Sequence, residues 1–147
     1  MSKGWIGVDL DGTLAEYDGW KGIDHIGEPI PLMVNRVKEW LTQGKEVRIV
    51  TARVAHTVPL EDAVLSLNAI HVWCFKHLHR VLKVTCSKDF EMIELWDDRC
   101  VQVEKNTGRR LDGVDNDGTR WYNQGGSTQD DSKGTALGHS DHDTGNR

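Results

Sequence analysis

Long apolar runs are missing from this 147-residue chain, and with them any stretch able to cross a bilayer as a helix. Met1-Ser-Lys-Gly4 leads straight into a strand-like segment, without the succession of basic, apolar and small residues that makes a secretory leader. A basic excess is missing too. The 18 Lys and Arg residues stand against 23 Asp and Glu, so there is no general electrostatic footprint for nucleic acid. Cysteine is scarce: Cys74, Cys86 and Cys100 are odd in number and lack C-x-x-C spacing. Three free, buried or half-buried thiols in a reducing compartment follow, and hence a cytoplasmic protein. A catalytic thiol at Cys86, close to Lys88, is the weaker reading of that residue.

Two further absences remove function classes. Gly22 and Gly27 have the spacing of a phosphate-binding P-loop, but Glu28-Pro29 stands where Lys-Ser/Thr is required. A kinase-type loop therefore fails at the residues that touch phosphate and magnesium. Large apolar residues thin out from Lys105 onward, where Gly and Asp dominate. Such a segment cannot bury enough surface to offset chain entropy, which predicts a one-domain body over 1–104 and a disordered tail over 105–147. Trp121-Tyr122 is the one part of that tail with the means to pack back on the body.

What is present begins with Trp5-Ile-Gly-Val-Asp9-Leu-Asp11-Gly-Thr13-Leu14. Trp5 to Leu10 reads as a short buried strand, because β-favouring residues precede a Gly-Thr breaker. Asp9 and Asp11 then sit where the strand runs out, the place where open α/β sheets bind ligands. Residues 15–28 carry Gly19, Gly22 and Gly27 and predict a loop or short hairpin. Pro31 opens a helix with Met33, Val37, Trp40 and Leu41 on one face and Gly44 as its stop. Glu46 to Val50 returns as a second strand and delivers Thr51 and Arg53 to the edge that holds Asp9. Strand, helix and strand of these lengths form a right-handed unit and so a parallel sheet. Pro59 begins a second helix, with Ala63, Val64, Leu67, Ile70, Cys74, Phe75 and Leu78 at helical spacing. His77 and His79 do not share a helix face, so a metal site with His71 is disfavoured. Val81 to Thr85 predicts a third strand leading to Lys88, Met92 to Trp96 a fourth ending at Asp97-Asp98, and Cys100 to Val103 a short fifth.

In this order, Asp9-Leu-Asp11-Gly-Thr13, Arg48-Ile-Val-Thr51-Ala-Arg53, Lys88-Asp89 and Leu95-Trp-Asp97-Asp98 resemble the four motifs of the haloacid dehalogenase superfamily of phosphohydrolases, over roughly residues 5–104. The resemblance implies a Rossmann-like three-layer αβα sandwich with a mainly parallel sheet. It implies Asp9 as nucleophile and Asp11 as acid and base with its main-chain carbonyl on the metal. Thr51 and Lys88 would meet the phosphate, with Leu10, Ala52 and Arg53 beside them, and Asp97 or Asp98 would join Asp9 on Mg2+. Thr51-Ala-Arg53 and Trp96-Asp-Asp-Arg99 are also similar to polynucleotide 3′-phosphatase domains.

Elementary chemistry accords with those roles. A phosphate monoester repels an anionic nucleophile, so its hydrolysis depends on charge neutralisation and positioning. Carboxylate oxygens suit magnesium, an aspartate can carry the phosphoryl group covalently, and a second aspartate can shuttle the proton. A cap domain in this superfamily enters after the first motif or between the second and third. The interval from Leu14 to Pro31 is short and the later one holds a single helix, so no cap is expected. An open site implies polymer ends, proteins, or small phosphorylated compounds enclosed by homo-oligomerisation, with nucleotides and nucleic-acid phosphate ends among them. Tyr17, Trp20 and His25 near the mouth have two readings, stacking on a base or packing beneath the loop. Two other classes stay open: a phosphoaspartate receiver switch, whose acidic pair precedes rather than follows the phosphorylated residue, and a binding module that keeps the fold without turnover.

Two stretches of the tail imitate sites. Val114-Asp-Asn-Asp-Gly-Thr119 repeats the first motif without a preceding apolar strand. As a calcium loop it places Gly113 and Gln124 at ligand positions. His139-Ser-Asp-His142-Asp143 is a metal-like cluster expected to bind adventitiously.

Overall fold

The computed structural model describes residues 3–112, so the tail motifs at 114–119 and 139–143 and the Trp121-Tyr122 pair lie outside the described residues. Its elements are β1 (Trp5–Asp9), α1 (Pro31–Thr42), β2 (Glu46–Val50), a 3-10 turn (Ala52–Val54), α2 (Leu60–Leu78), β3 (Lys83–Thr85) and β4 (Met92–Trp96). The sheet is entirely parallel, in the order β3-β2-β1-β4. Both the α/β class and the parallel sheet are as expected. No helix among these residues is long and apolar enough to cross a membrane.

Alternation along the strands divides the sheet into two unequal faces. Ile6 pairs with Val47 and Val8 with Ile49, and these four side chains meet Val34 and Val37 of α1 and Ile70, Cys74 and Leu78 of α2 in one core. Both helices therefore cover the same face. A right-handed connection explains this: stepping from β1 to β2 to β3 in one direction places each crossover helix on one side. The third layer implied by the resemblance is not made by a helix among the described residues. Residues 86–91 instead carry the chain back across the other face to β4. There Trp5 is fully buried, with the Arg48 guanidinium 4.5 Å above its ring and its Nε1–H donated to Asp89 at 2.8 Å. That contact ties the crossing segment to the sheet.

Local signals set the helix ends. Pro31 occupies the first turn of α1, where a missing N–H costs nothing. Gly44 takes a positive φ of 78° beyond its end, and Lys45 N–H reaches back to the Trp40 carbonyl at 2.9 Å. His79 stops α2 in the left-handed conformation, at φ 56°. The buried stripe of α2 differs from the expected one. Ser66, Ile70, Trp73, Cys74 and Leu78 face inward, whereas Val64 and Phe75 are 50% and 66% exposed. The indole of Trp73 donates to the Gly27 carbonyl at 2.9 Å, and this bond orients the helix.

The expected fifth strand at 100–103 does not form. Val103 makes one isolated antiparallel bridge with Arg110, and Leu111 N–H donates to the Gln102 carbonyl at 3.0 Å, so a small closed turn extends past the expected boundary at 104. Residues 15–28 make a loop rather than a hairpin, closed at its base by Glu16 N–H donating to the Glu28 carbonyl at 2.8 Å and by the Ala15–Pro29 bridge.

Candidate functional site

Asp9 is the last residue of β1, and its side chain leaves the central strand at the carboxyl edge of the sheet. Leu10 buries its side chain in the core. Its main-chain N–H tempers the rise of the Asp9 carboxyl, while its carbonyl accepts from the N–H groups of Thr13, Leu14 and Ala15. This tight turn needs Gly12 at φ 92°, and a Cβ there would stand 2.7 Å from Asp98 Oδ2. The turn after the first strand and the carboxylate after the last thus fit face to face. Thr13 fastens the fit: its hydroxyl donates to Asp98 Oδ1 at 3.0 Å and accepts from Asp98 N–H at 3.0 Å.

Asp9, Asp97 and Asp98 each place a carboxylate oxygen within 4.8 Å of the others. Burial, then the charge of Asp97, then hydrogen bonding and charge from Asp98 push the Asp9 carboxyl from 3.8 up to about 8. The Leu10 N–H works in the opposite direction. Three hard oxygen donors whose mutual repulsion already favours a proton form a donor set suited to a small divalent cation.

Asp11 lies apart from that cluster in its contacts. Arg53 donates Nε–H to its Oδ2 at 2.7 Å and Nη2–H to its Oδ1 at 2.8 Å, a bidentate pair. Arg53 is itself buried. It also bonds the Ile23 carbonyl at 3.2 Å and the His25 carbonyl at 2.9 Å, and its guanidinium lies 4.9 Å from the Trp20 ring centroid. The residue expected beside a phosphate therefore ties the 15–28 loop to Asp11. Its position is set by Thr51, whose hydroxyl accepts from Arg53 N–H at 3.2 Å and opens the 3-10 turn.

A cleft of about 830 Å³ opens beside these groups, and Asp9, Asp11, Thr51, Ala52, Arg53 and Asp97 all line it. Lys88 is exposed on the segment 86–91 and is not among the lining residues, whereas Arg99 is. Arg99 was legible only as the end of the Trp-Asp-Asp-Arg run. Thr13 stood in the first motif without a role of its own, and Asp62 and Ser66, also in the cleft wall, gave no signal. Cys86 lines the cleft too, its Sγ 3.8 Å from His56 Nε2. Among the three free thiols Cys74 is buried, Cys86 half-buried and Cys100 exposed.

No family model matches the chain, and no curated protein does. It is similar to a solved structure described as the conserved protein coded by a locus from Bacteroides thetaiotaomicron. The identity is 23% over 68% of this chain and 79% of that one, with a TM-score of 0.48. A likeness at that level carries no chemistry.

Proposed function

We propose that the protein is a magnesium-dependent phosphomonoester hydrolase working through an aspartyl-phosphate at Asp9. The observation that carries this reading is the convergence of Asp9, Asp97 and Asp98 within 4.8 Å at the carboxyl edge of the parallel sheet, with Asp9 and Asp97 lining a cleft that also receives Thr51 and Arg99. Asp9 and the pair Asp97-Asp98 would hold the metal, with Thr13 fixing Asp98. When bound, magnesium would offset the charge that otherwise keeps a carboxylate and a phosphate apart.

Asp9 attacks phosphorus, the bond to the ester oxygen breaks, and the alkoxide leaves with a proton. Water then attacks phosphorus and gives up a proton, the bond from phosphorus to the Asp9 oxygen breaks, and inorganic phosphate leaves with Asp9 restored. Thr51 and Arg99, which line the same cleft, would meet the phosphate oxygens. Asp11 is the group placed to supply and recover the proton. Both of its oxygens are engaged by Arg53, so that role requires the pair to open. An incoming phosphate competes for the same guanidinium and provides the means to open it.

The same pair favours a second reading, a module that binds phosphoryl groups without turning them over. Multiple turnover separates the two. The full chain should hydrolyse p-nitrophenyl phosphate with magnesium, chelation should stop it, and Asp9→Asn should reduce it to a few per cent or less. Magnesium should also raise the melting temperature, and less so in Asp98→Asn. Undiminished turnover in Asp9→Asn removes the covalent mechanism. Magnesium-dependent stabilisation without turnover leaves the binding module.

A further inference from the structure

The cleft is much larger than a phosphoryl group, and its composition away from the acidic cluster says what fills the remainder. We infer that the organic part of the phosphate ester is a nucleoside, its base stacked on Trp20; this rests on the hydrolase reading. Trp20 lines the cleft and stays 57% exposed although Arg53 lies against its ring. A guanidinium on an indole presents a rigid, preoriented platform, and a base stacks on it irrespective of its own hydrogen-bonding pattern. One guanidinium therefore meets both the platform and Asp11, so a ring stacked on Trp20 would lie close to the acidic end of the cleft. A sugar is the natural spacer between such a ring and such a phosphate.

The rest of the wall separates a nucleoside from a plain aryl group. Tyr17 and Val58 add apolar surface, while Thr57, Asp62 and Ser66 bring hydroxyls and a carboxylate to the same cleft. Pockets of about 300–1,000 Å³ that mix apolar surface with a few convergent polar groups take ligands of this size. An aryl phosphate would leave the polar wall unmatched, and a sugar phosphate would leave Trp20 and Tyr17 in water. The loop that carries Trp20 is closed at its base by Glu16 and Glu28 and held from below through the Ile23 and His25 carbonyls, so the platform is in place before a ligand arrives.

The test compares kcat/KM for thymidine 3′- and 5′-monophosphate, for short oligodeoxynucleotides with a 3′- or a 5′-phosphate, for glycerol phosphate and for tyrosine phosphate, in the magnesium-loaded full chain. Nucleoside-bearing esters should be preferred over both controls, and the ranking of the mononucleotide and oligonucleotide arms says which source is natural. Stacking of one base predicts that Trp20→Ala lowers the nucleotide-to-glycerol-phosphate ratio by roughly five- to a hundredfold, mainly through KM, while Trp20→Phe retains most of it. A wild-type ratio near one, a ratio unmoved by Trp20→Ala, or tyrosine phosphate as the best substrate overturns the assignment. The hydrolase reading fails separately. If no ester is turned over, calorimetric binding of thymidine monophosphate that Trp20→Ala abolishes still upholds the subsite, and the absence of such binding overturns it.

Discussion

Burial and two acidic neighbours keep the Asp9 carboxyl protonated far above the usual aspartate range, and this has a consequence that needs no substrate. Between 3.8 and about 8 the folded chain holds a proton at Asp9 that the unfolded chain has released, so folding stability falls as pH rises through that window and levels off above it. Melting temperatures measured in chelator from pH 4 to 9 should show a decline that Asp9→Asn reduces. Saturating magnesium should reduce it too, because a cation takes over the proton's role. Identical pH profiles for wild type and Asp9→Asn would show that the Asp9 carboxyl is not raised in solution. Arg53 makes the second residue-scale case. It holds Asp11 and two main-chain carbonyls at once, so Arg53→Met should destabilise by about 3–5 kcal/mol, as expected when one partner of a buried ion pair is removed. Arg53→Lys should recover little, since an ammonium cannot reproduce the planar fork. Denaturant midpoints of the two variants measure this. Asp9, Asp97 and Asp98 were legible as residues because each follows an apolar strand. The Arg53–Asp11 pair was not, since whether a cation meets a phosphate or a carboxylate depends on where residues 15–28 return, and nothing in a sequence of turns says where that is.

Strands and helices were the most legible scale. Glu46–Val50 and Met92–Trp96 form as expected, and α1 begins at Pro31. The inward face of α2 was harder, because apolar residues run almost all round that helix and 3.6-residue spacing fits more than one stripe. Phe75 follows Cys74 as plausibly as Trp73 precedes it. Only the bond from the Trp73 indole to the Gly27 carbonyl decides between them, and its partner lies in a different segment. Trp73→Ala should accordingly cost about 3–5 kcal/mol in chemical denaturation, whereas Phe75→Ala should stay within about 0.5 kcal/mol. The reverse order would mean that α2 is rotated in solution. The second face has a related cause: among the described residues the connection from β3 to β4 is too short to contain a helix.

At the scale of the whole molecule, the cleft at the carboxyl edge lies open among the described residues because little chain is inserted between their strands. Every group of the candidate site precedes Cys100, and the last described contacts are those of the 102–111 turn. Removing everything after Asp112 should therefore leave both the melting temperature and aryl phosphate turnover near the values of the full chain. The change of Asp115 and Asp117 to Ala should be equally silent. Loss of turnover in that double variant would transfer the chemistry from the first Val-Asp-x-Asp-Gly-Thr copy to the second.

The position of β1 has a consequence in time. It precedes the other described strands in the chain, yet it sits inside the sheet with β2 on one side and β4 on the other, and Trp5 pairs with Met92. Contacts between segments far apart in the chain are the slowest to form, because loop closure must precede any gain from pairing. Asp9 is thus made almost at once but meets Asp97 and Asp98 only when β4 has emerged and docked. A nascent chain halted before that strand would carry Asp9 without its two acidic neighbours, so the acidic cluster is assembled only by the docking of the last described strand.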